Sequence, residues 1–316
     1  MEKRALGASG LSAAPLALGG NVFGWTADEK ASFAILDRFI DSGFDLVDTA
    51  NSYSRWVSGH AGGESEALIG RWLAQGGRRD RVILATKVGM EAVGEPKGLK
   101  CAMIEKHAEG SLKRLQTDRI DLYQTHIDDP DTPVDESLEA LDRLVKAGKV
   151  RAIGASQYGP ARLRESLAAS TRLGIARYQT LQPEYNLYDR AQFERDYQPL
   201  ALEYGLAVIP FFGLAKGFLS GKYRDVKAIE GRPRAAGLAK YFEGDRGMKI
   251  LAALDAVGKR VNATPAQVSL AWIMAQPSIA APIASVTSVA QLDEIAGAAG
   301  LKLDGAALKE LDAASR

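Results

Sequence analysis

Asp48-Thr49-Ala50-Asn51-Ser52-Tyr53, followed at a distance by Lys87 and His126, gathers the side chains of this protein best suited to moving a proton. A free tyrosine titrates near 10, too high for a ready donor at pH 7. A lysine ammonium about 4 Å from the phenol favours the phenolate by roughly 4 kcal/mol at an effective dielectric near 20. At about 1.36 kcal/mol per pH unit, a tyrosine lowered by up to ~3 units, toward neutrality, is predicted. Asp48 is expected to pair with Lys87 and fix its place, partly offsetting its effect on Tyr53. His126 is expected to hydrogen-bond the reacting oxygen and orient it. These roles suit protonation of a carbonyl oxygen while hydride arrives at its carbon. Taken singly, each residue has an ordinary use: a turn cap, a strand-edge charge, a core imidazole, a packing ring. Their joint placement carries the reading.

That placement follows from six apolar runs, each ending in a residue able to do chemistry or hold a ligand. Residues 44–47 run into Asp48, 82–86 into Lys87, 120–125 into His126, 150–155 into Ser156-Gln157, 178–181 into Gln182 and 206–210 into Phe211. A further strand is predicted at 16–19 and an eighth at 279–283. Helical periodicity occupies 29–42, 64–74, 106–115, 136–146 and 161–173 between them. Strands alternating with helices imply parallel pairing and right-handed crossovers. Eight such units in about 300 residues predict a (β/α)8 TIM barrel, whose strand C-termini meet on one face where the active site lies. Residues 1–15 are predicted to form an N-terminal β-hairpin about Gly7-Ala8-Ser9-Gly10, and 303–314 a C-terminal helix. Two loops exceed the repeat, 54–63 and 213–242, and both leave strand C-termini, so both are expected to overhang the pocket.

The bulk properties narrow the class. No linker, charge block or low-complexity tract divides the 316 residues, so 1–316 is read as one domain. A net charge of +1 leaves no electrostatic footprint for nucleic acid or an anionic membrane. No apolar stretch approaches the ~20 residues needed to span a bilayer. Gly7, Ser9, Gly10 and Ser12 interrupt what a secretory signal would keep solidly apolar. With Cys101 the single cysteine, a cytoplasmic protein without internal disulfides is expected.

With these residues in view, the sequence resembles the aldo-keto reductase superfamily along nearly its whole length. The family's Asp-Thr-Ala-x-x-Tyr appears as Asp48 to Tyr53, its Gly-Glu-Ser-Glu helix start as Gly63 to Glu66, and its Thr-Lys strand end as Thr86-Lys87. Asp121-Leu122-Tyr123 through His126 matches the strand carrying the family histidine. The resemblance implies an NADP(H)-dependent oxidoreductase reducing an aldehyde or ketone, or running the reverse. Asp48, Tyr53, Lys87 and His126 would be its catalytic tetrad, with Tyr53 the proton donor.

No Gly-x-Gly-x-x-Gly follows a strand, so a Rossmann dinucleotide site is unsupported. The family instead binds its nucleotide in the barrel mouth. By resemblance, Ser156, Gln157 and Gln182 would meet the nicotinamide carboxamide, and Phe211 would stack on its ring. The family usually has Asn at the place of Gln157, and many members have Tyr at that of Phe211. Gly213, Leu214, Lys216, Gly217 and Lys222 would wrap the pyrophosphate, glycines allowing close approach and lysines adding charge. Ser285, Thr287, Gln291 and Glu294 match the adenosine-phosphate region. The basic residue some members carry near Ser285 or Gln291, and their Asn at the position of Ile295, are absent here. A helix N-terminus with hydroxyls can still hold a phosphate, so NADP(H) is favoured and NAD(H) is the alternative.

Phe23, Trp25 and Trp56 are the predicted substrate walls, suited to a small carbonyl or alcohol substrate with apolar or sugar-like surface. Three other readings compete. A Schiff-base barrel would need Lys87 desolvated without a salt-bridge partner, against Asp48. A metal hydrolase would need clustered ligands, whereas His60, His107 and His126 show no paired spacing, so no metal is expected. A nucleotide-binding regulatory subunit of the same fold would not need the intact tetrad. Exposed barrel helices would permit a monomer or a homo-oligomer.

Overall fold

The structure, a computed structural model, describes residues 1–231 and 235–316; of the long predicted loop 213–242, residues 232–234 lie outside the described set. The chain opens with an antiparallel hairpin of β1 (Arg4–Ala5) and β2 (Ser12–Ala13). Gly7 and Gly10 supply the positive φ that its turn requires. Leu6 and Leu11 are buried against Ala17, Leu46, Ala85, Leu122 and Ala207, near the starts of the barrel strands. The hairpin therefore plugs the end of the barrel opposite the strand C-termini.

Eight parallel strands follow: β3 (Ala17–Gly19), β4 (Leu46–Asp48), β5 (Ile83–Val88), β6 (Ile120–Thr125), β7 (Val150–Ser156), β8 (Tyr178–Gln182), β9 (Ala207–Val208) and β10 (Ile283–Ala284). They pair in the order β10-β3-β4-β5-β6-β7-β8-β9. Short links close the ring. Val208 bridges Ile279, Ala280 N donates to Val208 O at 2.8 Å, and Ile283 N donates to Pro210 O at 2.8 Å. The (β/α)8 barrel is as predicted, but its eighth strand is not. Residues 279–282 give only that bridge, and the regular strand starts at Ile283. Pro282 has no N–H with which to continue a ladder.

Helices α1 (Glu29–Asp41), α2 (Glu64–Leu73), α3 (Cys101–Leu115), α4 (Val134–Lys146), α5 (Pro160–Leu173) and α6 (Gln198–Tyr204) follow β3 through β8 in turn. Helix α3 begins five residues before its predicted start, at Cys101, and its first turn leans on α4 through the Cys101 N to Glu136 Oε1 bond of 3.0 Å. Past β9, the predicted loop contains 3-10 turns at Ala215–Ser220, Val226–Ile229 and Ala239–Phe242 and the single-turn α7 (Ala235–Leu238). Then come α8 (Arg246–Val261), α9 (Pro265–Met274), α10 (Val289–Ala296) and, as the predicted C-terminal helix, α11 (Gly305–Ser315). A capping box of Thr264 and Gln267 starts α9, and Arg260 of α8 pairs with Glu310 of α11 at 2.7 Å. Among the described residues no helix is long and apolar enough to cross a membrane.

Helices α2 and α3 touch backbone to backbone at Gly70, where a Cβ would stand 2.0 Å from Arg114 O. Gly70→Val is expected to force the pair apart and destabilise by about 1–3 kcal/mol, the usual range for overpacking. Thermal unfolding would register this as a lowered Tm; an unchanged Tm would mean the two helices separate without cost.

Candidate active site

Register brings the proton-moving groups together. Asp48 ends β4 opposite Ala85, and two residues on Lys87 pairs with Gln124 of β6. His126 follows the end of β6, its N–H donating to Val88 O at 2.7 Å. Asp48 and Lys87 are buried, whereas Tyr53 and His126 are half-buried at the barrel mouth. Lys87 Nζ donates to Asp48 Oδ2 at 2.5 Å, to Thr49 O at 2.9 Å and to Tyr53 Oη at 2.9 Å. Three acceptors take all three ammonium protons, so the cation is held in one place. Tyr53 Oη donates to Asp48 Oδ2 at 3.4 Å, and its ring meets that of His126 edge to face at 5.9 Å.

The electrostatics correct one expectation. Tyr53 is not drawn toward neutrality: burial, with Asp48 adding charge and a hydrogen bond, holds its phenol well above the ordinary 10. Desolvating a phenolate at this depth outweighs the stabilisation that the Lys87 charge offers it. Burial also lowers the Lys87 ammonium, although Asp48 and then Glu66 oppose this. Burial and the Lys87 charge push His126 well below the ordinary 6.5, so it is neutral at pH 7. The free site thus presents a protonated phenol beside an uncharged imidazole.

The residues expected to hold a nucleotide line the same mouth. Ser156 Oγ donates to Gln182 O at 2.9 Å, and Gln157 Nε2 donates to His126 O at 3.0 Å. Gln182 Nε2 donates to Asp48 Oδ1 at 2.9 Å and to Gln124 Oε1 at 3.3 Å. These side-chain donors are engaged within the protein, which leaves acceptor oxygens for an incoming amide. Phe211 N donates to Pro183 O at 2.9 Å, and the Phe211 ring is half-exposed.

Beyond it the backbone is strained. Phe212, Ala215 and Lys216 take positive φ without being glycine, and Gly217 follows at φ 102°. Such outliers cluster where a ligand is clamped. Lys216 Nζ lies 5.1 Å from the Phe212 ring centre, and a Cβ on Gly217 would sit 3.6 Å from Lys222 Nζ. Two lysines beside a concave backbone turn suit a pyrophosphate. Gly213 is buried and Leu214 half-buried beneath this turn.

At the far end Ser285 Oγ donates to Asn21 Oδ1 at 2.5 Å, and Gln291 Oε1 accepts from Thr287 N at 2.8 Å. Ser288 caps α10, and Glu294 O accepts from Gln267 Nε2 at 2.8 Å. The nearby Arg38 is already paired with Asp293 at 2.6 Å.

Two of the three predicted substrate walls stand at the mouth. Trp56 is 52% exposed, and its ring meets Trp25 at 5.6 Å and Tyr53 at 6.1 Å, both edge to face. Phe23 does not join them: its side chain is wholly buried in the outer core, and it acts through its carbonyl, which accepts from Ser54 Oγ at 3.0 Å. A buried ring inside a strand-end aromatic cluster looks the same in sequence as an exposed one. The loop bearing Trp56 is tied down by Arg55–Glu91 at 3.3 Å and by Val93 N to Ala61 O at 2.8 Å.

Comparison with known proteins agrees with this geometry. The model of the Aldo/keto reductase family matches residues 15–316. The chain belongs to that family. It is similar to the uncharacterized oxidoreductase YrpG of Bacillus subtilis (strain 168), 39% identical over 99% of this chain and 95% of the relative. It is 31% identical to the aldo-keto reductase YhdN of the same organism, over 99% of this chain and 93% of that one. The aldo-keto reductase yakc [NADP(+)] of Schizosaccharomyces pombe is 30% identical, over 90% and 82% respectively. This aldo-keto reductase is an NAD(P)H-dependent oxidoreductase.

The reductase also holds its site with residues that sequence reasoning missed. Gln124 donates to Asp48 Oδ1 at 3.2 Å, so with Gln182 two amides brace the carboxylate from below. The Gly63 to Glu66 segment, read only as a helix start, is a bracket. Ser65 Oγ meets Thr49 Oγ1 at 2.8 Å, and Glu66 takes Thr86 Oγ1 at 2.5 Å and Arg114 Nε at 2.7 Å. The residues following Asp48 and preceding Lys87 are thus both pinned to α2. Period two within β6 was the available signal for Gln124, because it shares a strand face with Leu122, whose side chain is in the inner apolar cluster.

Proposed function

We propose that this aldo-keto reductase reduces an aldehyde or ketone to the alcohol, or oxidises the alcohol, with NADP(H) as its nucleotide and Tyr53 as the proton donor or acceptor. The observation carrying this is the single ammonium of Lys87, bonded to both Asp48 and Tyr53 beside a neutral His126. When bound, the nicotinamide nucleotide supplies or takes the hydride. In this reading the His126 imidazole would orient the carbonyl oxygen and the Tyr53 phenol would give it a proton. Lys87 compensates the charge left on Tyr53, and Asp48 keeps Lys87 charged. Trp25 and Trp56 shield the reacting carbon from water with an apolar wall.

Ser156, Gln157, Gln182 and Phe211 would hold the nicotinamide, and Gly213, Leu214, Lys216, Gly217 and Lys222 the pyrophosphate. Ser285, Thr287, Gln291 and Glu294 would meet the adenosine end at the N-terminus of α10. NADP(H) is supported by the fission-yeast relative, an aldo-keto reductase named for NADP(+). No lysine or arginine falls in 285–295, so hydroxyls and the helix dipole would carry the extra phosphate. A cytoplasmic, single-domain enzyme is supported by its lone cysteine and undivided sequence.

Titration with NADPH and separately NADH, followed by tryptophan fluorescence and then by addition of an aromatic aldehyde, tests the proposal. Tighter NADPH binding with nucleotide consumption is expected. Tighter NADH binding would transfer the reading to NAD(H). Failure of both to bind would remove the nucleotide assignment.

A further inference from the structure

Behind the Tyr53 turn lies a second imidazole that the proton transfer leaves unused. His107 of α3 is buried, and its Nδ1 stands 3.1 Å from Nδ2 of Asn51. Asn51 is wholly buried within the turn joining Asp48 to Tyr53, its backbone N donating to Lys87 O at 3.3 Å. Its Oδ1 has no hydrogen-bond partner among the described residues. Among the described residues the Asn51 side chain is therefore held by one hydrogen bond, which crosses from the turn bearing Tyr53 to a helix that carries none of the proposed tetrad.

The geometry assigns the protons. With the amide in this orientation Nδ2 only donates, so Nδ1 of His107 is the acceptor and the ring proton sits on Nε2. The surroundings favour that uncharged state. Burial and Arg114 hold the imidazole below its ordinary 6.5, with Lys106 acting the same way and Glu95 and Glu66 opposing.

We propose that His107 and Asn51 form a positioning pair, in which the bare Nδ1 of His107 anchors the Asn51 amide and so fixes the turn that presents Tyr53. The inference rests on Tyr53 being the proton donor. Its physical basis is the asymmetry of buried hydrogen bonds: losing the acceptor leaves both polar ends of the Asn51 amide unpaired where water does not reach. The turn then gains by shifting to find a partner, and Tyr53, two residues on, shifts with it. Small displacements at a reacting atom are costly, up to about 100-fold for 1 Å. Ser52 lies between them, its Oγ 3.4 Å from His126 Nδ1, so the same turn touches both groups that face the carbonyl.

The test compares His107→Leu, His107→Asn, Asn51→Ala and the His107→Leu/Asn51→Ala double variant in steady-state turnover of an aromatic aldehyde, with Tyr53→Phe alongside. Nucleotide affinity by fluorescence serves as the control for folding. His107→Leu is expected to lower kcat about tenfold, with nucleotide Kd unchanged and a larger solvent deuterium isotope effect, because proton transfer becomes slower. His107→Asn, which carries an oxygen at the place of Nδ1, is expected to restore most of kcat. The double variant is expected to lose no more than either single one. Wild-type kcat in His107→Leu, no rescue by His107→Asn, or additive losses in the double variant, with Tyr53→Phe inactive, would overturn the pair alone. Turnover retained in Tyr53→Phe would overturn the donor assignment and the pair with it.

Discussion

Tyr53→Phe is expected to reduce turnover by at least about 100-fold while leaving nucleotide binding intact, since a positioned general acid is worth roughly 10²–10⁴. The substitution is close to isosteric. The ring keeps its edge-to-face contacts with His126 and Trp56, and Lys87 Nζ keeps its place 4.7 Å from the ring centre. Lys87 retains Asp48 and Thr49 as acceptors, so little else changes. The loss should therefore fall on kcat. The pH dependence follows from the direction of the phenol's shift. A phenol held well above 10 is protonated at every pH below that value, so reduction should show no falling alkaline limb from Tyr53 in the neutral range. Alcohol oxidation needs the phenolate and should gain as pH rises. Turnover within about threefold of the wild type in Tyr53→Phe would place the donor elsewhere.

Lys87→Met is expected to strike activity and stability together. Lys87 and Asp48 are both buried, and their 2.5 Å contact is the closest in the tetrad. Removing one member of a buried pair leaves an uncompensated charge, which typically costs about 3–5 kcal/mol. The amides of Gln124 and Gln182 soften this by donating to Asp48 Oδ1, but they bring no positive charge. Adding Asp48→Asn to Lys87→Met removes the orphaned charge. The double variant should regain most of the lost Tm while remaining inactive, because the group that compensates Tyr53 is still gone. A double variant no more stable than Lys87→Met would attribute the loss to packing instead of charge. Thermal unfolding and turnover on the same three proteins separate these outcomes.

The meeting of Asp48, Tyr53, Lys87 and His126 was legible because each ends, or lies past, an apolar run, and a parallel barrel has only one face on which strand ends meet. Partners within a layer were harder to read. Gln124 precedes His126 by two residues and looks like a filler in an apolar strand; only the register with Lys87 shows it beneath Asp48. His107 looks like one more polar residue of an amphipathic helix until the turn bearing Asn51 is laid against it. The tyrosine shift ran the other way because a pair of charges can be counted from sequence whereas burial cannot. Helix α9 left no signal in the sequence for a related reason. Helix α9 is buried nearly all round, so it has no polar face to give it a period.

The barrel is stitched unevenly. Strands β5, β6 and β7 run for six, six and seven residues, whereas β9 and β10 have two each, and the seam between them is closed by the Val208–Ile279 bridge just before β10 and the Ile283 N to Pro210 O bond. The strap through Lys216 and Lys222 springs from β9, and the α10 segment from β10, so both flank this thin seam. Asp48, Lys87 and His126 stand on the dense side. The proposed chemistry is thus mounted where the most ladder bonds resist deformation, as on an anvil, and the segments proposed to receive a long, jointed ligand rise where the fewest need break.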